Sequence, residues 1–175
     1  LLYNFKWAHK ISSKTNLSFN FFGLNASRKS IGYRIRRVDL PDTGEARELL
    51  IGDFNNFGLE TRILSSYRVF GKKATYLFGA KFYKAENNDY QGPGTDGIGA
   101  DFSVTTDQFP NYRIQGEFKN PNLNIALFGE NIFYLSDKFS ITPGARFEYI
   151  KTESKGLSRR TNFDAAGNPI GGEAV

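Results

Sequence analysis

The sequence contains no cysteine and no methionine, and it has one histidine and one tryptophan among 175 residues. The lack of cysteine excludes a disulfide framework and a cysteine-based zinc site. No stretch approaches the roughly 18–20 consecutive apolar residues of a membrane-spanning helix. No charged and apolar leader precedes Leu1, so we expect the chain to begin inside a longer gene product and to stop within a loop, 167–172.

Two segments in residues 123–151 alternate between apolar and polar side chains. One parity includes Leu123, Ile125, Leu127, Phe133, Leu135, Phe139, Ile141, Phe147 and Tyr149, and the other includes Asn124, Glu130, Ser140, Thr142, Arg146 and Glu148. Because side chains of a strand point alternately to opposite faces, this period of two predicts two strands with one apolar and one polar face. Each strand exceeds the globular mean of roughly 5–6 residues and reaches the ~9–11 residues that cross a membrane at a tilt.

The composition fits strands that meet lipid on one face. Aromatic residues make up 15% of the chain, and they recur on strand faces. A mean hydropathy of −0.45 does not exclude a membrane, because a barrel strand alternates and its average stays low. The polar faces carry charges of both signs, namely Glu60, Arg62, Arg68, Lys81, Glu130, Arg146 and Glu148. We therefore expect the apolar side to contact lipid and the reverse side to face an aqueous lumen or a polar plug.

The connections between the predicted strands alternate between short and long. Short turns are predicted at 9–14, 71–73 and 136–138, and long polar segments at 29–55, 85–121 and 153–175. Outer-membrane barrels place short turns on the periplasmic side and long loops outside. The aromatic girdle expected near the short turns comprises Tyr67, Phe70, Tyr76, Tyr134 and Phe139.

The fold class predicted from these patterns is all-β, an antiparallel up-and-down segment of a transmembrane β-barrel with about six strands. Because the smallest membrane barrels need about eight strands, the segment is expected to be an open arc of a larger wall. Two irregularities are expected within it: a bulge at Phe21-Phe22 beside Gly23, and a lost ladder bond or bulge at Pro143-Gly144.

Several motifs resemble the barrel of TonB-dependent outer-membrane receptors. They are Phe128-Gly129-Glu130-Asn131, the stretch 135–150 with Leu-Ser-Asp-Lys followed by Thr-Pro-Gly-Ala-Arg-Phe-Glu, the segments 15–20 and 23–28, and Phe57-Gly58-Leu59-Glu60-Thr61-Arg62. The pattern is similar throughout the chain, and it looks closest to receptors of the ferric-citrate type.

This resemblance implies that residues 1–175 are a partial barrel domain of a roughly 22-stranded barrel, without its plug domain and remaining strands. It also implies active import of an iron chelate (ferric citrate or a siderophore) or of a similar scarce nutrient across the bacterial outer membrane. The implied partners are outer-membrane lipid, the protein's own plug domain, the TonB complex and the small nutrient.

Two other classes of protein could produce similar strands. A passive porin-like or adhesin barrel would share the strands and the loop asymmetry but would have no plug domain encoded upstream. A soluble carbohydrate-binding β-sandwich would bury its phenylalanines between two packed sheets.

The sequence contains only weak motifs for a catalytic, metal-binding or nucleotide-binding site. The segment 92–97 has the Gly-x-Gly-x-x-Gly spacing, but no helix follows it and Pro93 favours a turn, so a loop is predicted. Asp89, Asp96, Asp101 and Asp107 could offer oxygen ligands to Ca²⁺, but their spacing lacks EF-hand order and favours a hydrated loop. The single histidine, His9, is interpreted as a solvated turn residue.

The basic cluster Arg34, Arg36 and Arg37 lies in a predicted outer loop. Arginine forks match carboxylates, so the cluster could bind a citrate-like chelate. The favoured interpretation is that the cluster offsets lipopolysaccharide phosphate or pairs with Asp39 and Glu45. We expect no enzymatic activity, catalytic residue, metal site, cofactor or nucleic-acid partner, despite a net charge of +5, and the ligand-binding residues cannot be assigned from the sequence.

Overall fold

The computed structural model describes residues 1–33, 39 and 44–174. Its described residues form strands and connections, with no helix long and apolar enough to cross a membrane. The strands are β1 Leu2–Lys10, β2 Thr15–Gly32, β3 Glu48–Val69, β4 Lys72–Pro93, β5 Ile114–Ser136, β6 Phe139–Ile141, β7 Gly144–Thr152, β8 Lys155–Phe163 and β9 Pro169–Ala174.

These strands form one sheet in which neighbours along the chain are neighbours in space. The order is β1-β2-β3-β4-β5-β8-β9, and β6 and β7 also pair with β5. The predicted fold class, an antiparallel up-and-down all-β segment, is confirmed. A sandwich would require a second sheet, and the described strands belong to a single sheet.

The strands are longer than the sequence pattern predicted. The regions 29–55, 85–121 and 153–175 were expected to be long loops, and this expectation is wrong for much of their length. β2 ends at Gly32, β3 begins at Glu48, β4 ends at Pro93 and β5 begins at Ile114, while β8 and β9 occupy most of 155–174. The reason is that these parts do not alternate regularly between apolar and polar side chains: Leu49, Leu50 and Ile51 are consecutive apolar residues, and 155–163 is mostly polar. Ladder hydrogen bonds therefore form strands that a period of two does not reveal.

The chain divides into two compact units. Unit 1 comprises Leu1–Asn25, Asn55–Ala85 and Pro121–Glu153, and unit 2 comprises Ala26–Phe54, Glu86–Asn120 and Ser154–Val175. Unit 1 contains the short turns that follow β1, β3 and β5, as predicted. Unit 2 contains the long connection between β4 and β5.

The apolar face of unit 1 is open. Paired residues share that face, as in Trp7 with Phe19 and Leu127 with Phe147. Phe5 is 60% exposed and Phe147 is 73% exposed. No second layer covers these side chains among the described residues, which is the arrangement that a lipid-facing surface requires.

Odd-numbered residues of β5 change character along the strand. They are apolar in Leu123, Ile125 and Leu127, whereas Gln115, Glu117 and Lys119 are polar or charged. β5 has 23 residues, and a strand of that length spans roughly 75 Å at about 3.3 Å per residue, well over twice the ~30 Å hydrocarbon core. The apolar stretch is therefore long enough to cross lipid, and the rest of the strand extends beyond it.

The predicted bulge at Phe21-Phe22 is absent from the pairing of β1 with β2. That register runs without a shift from Asn16 to Leu24. Phe22 instead lies on the polar face, where its ring occupies the space that a side chain at Gly58 would need. The glycine on the neighbouring strand explains why a phenylalanine breaks the alternation without a bulge.

The interruption predicted at Pro143 is confirmed. β6 ends at Ile141 and β7 begins at Gly144. Pro143 has no N–H to give the ladder, but its carbonyl still accepts a hydrogen bond from Asn131 N at 2.9 Å. Pro143 therefore leaves unmade only the hydrogen bond that a backbone N–H at this position would donate.

The hairpin between β3 and β4 turns at Phe70-Gly71, one residue earlier than predicted. Both residues have positive φ, 49° at Phe70 and 77° at Gly71. Positive φ at both central positions is the condition for a type I′ turn, which favours Asn-Gly. Phe70 is 99% exposed, so no packing within the described chain compensates for its left-handed backbone.

This strain predicts the outcome of two substitutions at the turn. Phe70→Asn and Phe70→Ala both remove the ring, but only Asn tolerates the left-handed region well. We expect the full-length protein with Phe70→Asn to be about 1 kcal/mol more stable than with Phe70→Ala, measured by denaturant unfolding in lipid vesicles. Equal stabilities would show that the turn is not strained.

Candidate functional site

The polar face of unit 1 is organised around aromatic rings that lie on glycines. A side chain at Gly79 would collide with the ring of Phe128, and one at Gly58 would collide with the ring of Phe22. In each case the ring and the glycine lie on neighbouring strands. Because glycine has no side chain, these positions leave space for large rings on the polar face of the sheet.

Phe128 contacts cationic side chains from strands on both sides of its own strand. Arg62 of β3 lies over its ring at 5.7 Å and Arg146 of β7 at 5.4 Å, measured to the ring centroid. Arg62 reaches Phe128 across β4 because Gly79 presents no side chain between them. A guanidinium over an aromatic face contributes roughly 0.5–1 kcal/mol at an exposed site.

Phe22 forms the corresponding contact on the other side of β3. Lys81 Nζ lies 5.9 Å from its ring centroid, and Tyr83 stacks on it at 6.4 Å. A cation–aromatic row therefore crosses this face from β2 to β7.

Both arginines are also paired with carboxylates two residues away on their own strands. Arg62 lies 2.5 Å from Glu60 and Arg146 lies 2.9 Å from Glu148. Asn124 donates to Glu148 at 2.7 Å from the neighbouring strand. Since exposed pairs of this kind contribute about 0–1 kcal/mol, their main effect is to keep a charged wall close to neutral.

The contact between ring and glycine leads to a prediction. Gly79→Ala should destabilise the full-length protein by roughly 1–3 kcal/mol, because its Cβ overpacks against Phe128. The cost should largely disappear in a Phe128→Ala background, as measured by denaturant unfolding in vesicles. Gly97→Ala is the control, because a Cβ at residue 97 meets nothing within 4 Å. An equal cost of Gly79→Ala in both backgrounds would contradict the contact.

Unit 2 contains a buried arginine that holds the loop after β4. Arg47 is 5% exposed. Its Nε donates to Thr95 O at 2.9 Å, its Nη1 to Gly99 O at 2.8 Å and its Nη2 to Thr95 Oγ1 at 2.6 Å. A planar fork of donors can satisfy several acceptors at once, so Arg47 fixes the start of the loop.

The same loop is held by an acidic side chain and a small apolar core. Asp101 accepts hydrogen bonds from the side chain and then the backbone of Ser103, and these bonds hold the pKa of the Asp101 carboxyl below its ordinary value. Leu49 and Pro93 are fully buried. Burial raises the pKa of Tyr90, whose hydroxyl lies 3.0 Å from Thr106 Oγ1. The loop is therefore packed and hydrogen-bonded at several points.

Replacing the arginine fork tests its role. In Arg47→Lys a single ammonium cannot make all three contacts, and we expect faster hydrogen exchange in residues 94–105, equivalent to roughly 1–3 kcal/mol of local stability. Mass-spectrometric exchange of the full-length protein measures it. Arg28→Lys, at an exposed arginine of β2, should leave the segment unchanged. Equal exchange rates in the unmodified protein, Arg47→Lys and Arg28→Lys would show that the Arg47 guanidinium does not hold this loop.

Next to this loop lies a cavity of about 760 Å³ within unit 2. Its described lining comes from the segment before β3, the loop after β4, the end of β8 and the turn that follows β8: Gly44, Glu45, Ala46, Gln108, Phe109, Pro110, Asn111, Tyr112, Arg113, Phe163 and Gly167. Small-molecule sites typically measure about 300–1,000 Å³ and are lined by aromatic and apolar groups with a few polar ones. The cavity has the size and chemistry of such a site.

Of the residues singled out in the sequence, Glu45 lines this cavity. Arg34, Arg36 and Arg37 lie outside the described residues. His9 is an exposed residue of β1, not a turn residue as predicted, and its ring stacks on Trp7 at 5.4 Å because alternate residues share a strand face.

The acidic residues and the glycine-rich segment lie at the end of β4 and in the loop that follows it. Asp89 accepts a hydrogen bond from Asn120 at 2.8 Å, and no group of three His, Cys, Asp or Glu could hold a metal among the described residues. The segment 92–97 passes from the end of β4 into a loop, as predicted.

Sequence reasoning missed Arg47 and the residues of the cavity other than Glu45. They lie in regions interpreted as polar loops. The available signal was the cluster Phe109-Pro110-Asn111-Tyr112-Arg113, which places two rings in a segment otherwise rich in Gly, Asn and Asp.

An antiparallel sheet with an open apolar face and a charged reverse is the wall of a membrane barrel. Residues 1–169 match the family model described as "TonB dependent receptor-like, beta-barrel". The chain belongs to this family, whose members are transporters of the outer membrane and not enzymes. Searches of the curated proteins and of the solved structures found no match.

Proposed function

We propose that this chain forms part of the barrel wall of an active transporter in the bacterial outer membrane. The transporter imports an iron chelate, ferric citrate or a siderophore, or a similar scarce nutrient, and is energised by the TonB complex. The observation that carries the proposal is the family match over residues 1–169. The two-faced sheet of unit 1 supports it physically.

The remaining parts of the transporter follow from the same proposal. Residues 1–175 belong to a larger barrel domain, and the protein's own plug domain fills the lumen. The apolar face of unit 1 contacts lipid acyl chains, and the cation–aromatic row faces the lumen. A closed barrel removes the unpaired edges that an isolated sheet would expose.

The polar face of unit 1 suits passage of a solute. Arg62 and Arg146 are each paired with a carboxylate on their own strand, so these two sites offer hydrogen-bonding groups with little net charge. A wall of this kind lets a polar ligand pass without trapping it. The net charge of +5 over these 175 residues favours approach of an anionic chelate to this part of the barrel.

Uptake of radiolabelled iron tests the proposal. A strain that lacks the full-length gene should lose uptake of the ⁵⁵Fe chelate, and the gene supplied in trans should restore it. Uptake should also stop in a strain that lacks the TonB complex and after collapse of the proton gradient. Uptake that persists without the TonB complex would identify a passive barrel, and unchanged uptake in the deletion strain would contradict a role in import.

A further inference from the structure

We propose that the short turns of unit 1 bind the anionic headgroups of phospholipids in the membrane leaflet that meets them. This inference rests on the part of the proposed function that places the apolar face of unit 1 in lipid. It adds a class of lipid and the residues that recognise it. The turns have three features that suit such a headgroup: positive charge, exposed apolar side chains beside that charge, and ordered hydrogen-bond donors.

The charge of the short turns is almost entirely positive. These turns follow β1, β3 and β5, and they lie at one edge of unit 1 because alternate connections of an up-and-down sheet share an edge. Residues 10–14, 70–73 and 136–139 contain one acid, Asp137, and the lysines Lys10, Lys14, Lys72, Lys73 and Lys138. All of these lysines are exposed, and none forms an ion pair with a described residue. Their charge is therefore available to an anionic membrane surface.

Each short turn also exposes a large apolar side chain within two residues of a lysine. The pairs are Ile11 with Lys10, Phe70 with Lys72, and Phe139 with Lys138. The apolar members are 54%, 99% and 58% exposed, in that order. Lipid can take up such a side chain below the headgroups while the neighbouring ammonium reaches a phosphate. The same pairing at three separate turns fits a continuous surface better than one protein partner.

Tyrosines next to the turn between β3 and β4 mark the depth of the lipid boundary. The ring centroids of Tyr67 and Tyr76 lie 6.1 Å apart across the hairpin, and the Tyr67 hydroxyl donates to Asn131 Oδ1 at 3.2 Å. Tyrosine has an apolar body and a polar tip, and it is enriched at the boundary between membrane and water. Lys72 shares the strand face of Tyr76 and lies four residues closer to the turn. This position places Lys72 at the level of the headgroups.

The turns are ordered, so their donors are already positioned. In the turns after β1 and β5, a serine oxygen accepts a hydrogen bond from the backbone of the lysine two residues later. The pairs are Lys14 N with Ser12 Oγ at 3.2 Å and Lys138 N with Ser136 Oγ at 3.3 Å. The Lys72 ammonium donates to the carbonyl of Leu135 on the neighbouring strand. Since an ammonium has three N–H donors, two remain for phosphate oxygens. Donors held in place reduce the entropy cost of binding.

Fluorescence quenching by brominated lipids tests the inference in vesicles that hold the full-length protein. The reporter is Phe70→Trp, and the difference from the unmodified protein isolates its emission. All vesicles contain equal amounts of anionic phosphatidylglycerol and zwitterionic phosphatidylethanolamine, and only the lipid that carries bromine on its acyl chains differs. We expect both lipids to quench, with phosphatidylglycerol enriched about two- to fivefold at the reporter. Free phosphate cannot produce this signal, because the quencher is on the acyl chain.

Lys72→Gln and Lys84→Gln, each combined with the reporter, form a matched pair. Both lysines are exposed, occupy even-numbered positions of β4 and lose one charge, but only Lys72 is next to a short turn. Lys72→Gln should lower the enrichment about twofold or more, whereas Lys84→Gln should leave it unchanged. Lys72→Arg should retain the enrichment, because the charge persists. Salt at roughly 1 M should remove most of it, since the screening length falls to about 3 Å.

The inference is overturned if neither lipid quenches the reporter, since the turn then lies outside lipid, or if both lipids quench it equally. It is also overturned if Lys72→Gln and Lys84→Gln behave alike. Loss of TonB-dependent uptake in Lys72→Gln, without a change in quenching, would identify an acidic protein as the partner of the turns.

The same measurements separate this inference from the import proposal. Import does not require a preference for one headgroup, so equal quenching by the two lipids leaves the import proposal standing as long as TonB-dependent uptake of a chelate is observed. Absence of such uptake, with the preference for phosphatidylglycerol intact, would instead contradict the import proposal alone.

Discussion

The backbone ladder between neighbouring strands is the interaction on which the rest of this structure depends. In hydrocarbon an unpaired N–H or C=O costs several kcal/mol, so a chain that spans lipid with strands must pair each strand with its neighbours. Here the pairing continues through segments without a regular apolar alternation, as in β8 against Ile114–Lys119 of β5. Even Pro143 loses only its own donor, because its carbonyl still accepts from Asn131.

Glycine determines what the polar face can display. Gly58 and Gly79 leave space on which the rings of Phe22 and Phe128 lie, and Gly79 also lets Arg62 reach Phe128 across a strand. The same sheet that exposes apolar side chains on one side thereby holds rings and the pairs Arg62–Glu60 and Arg146–Glu148 on the other. In unit 2 the chain after β4 is held by a buried arginine and a small apolar core instead of by strand pairing.

Much of unit 1 could be predicted from the sequence. A period of two over 123–151 depends only on the alternation of apolar and polar side chains along the chain. The strand positions, the apolar side and the short turn between these strands follow from it directly. The extent of the strands in unit 2 could not, because their residues do not alternate regularly between apolar and polar side chains. The bulge expected at Phe21-Phe22 failed for a related reason: the space that accommodates Phe22 comes from Gly58, a residue distant in the sequence.

The sequence by itself determined the class of fold, the residues of the apolar face of unit 1 and the family, because each depends on local alternation and short motifs. The tertiary structure decided the site. Arg47 meets Thr95 and Gly99, and Phe163 faces the same cavity as Phe109 and Tyr112, only because strand pairing brings distant segments together. Contacts of this kind depend on register and loop path, which no single segment of sequence specifies.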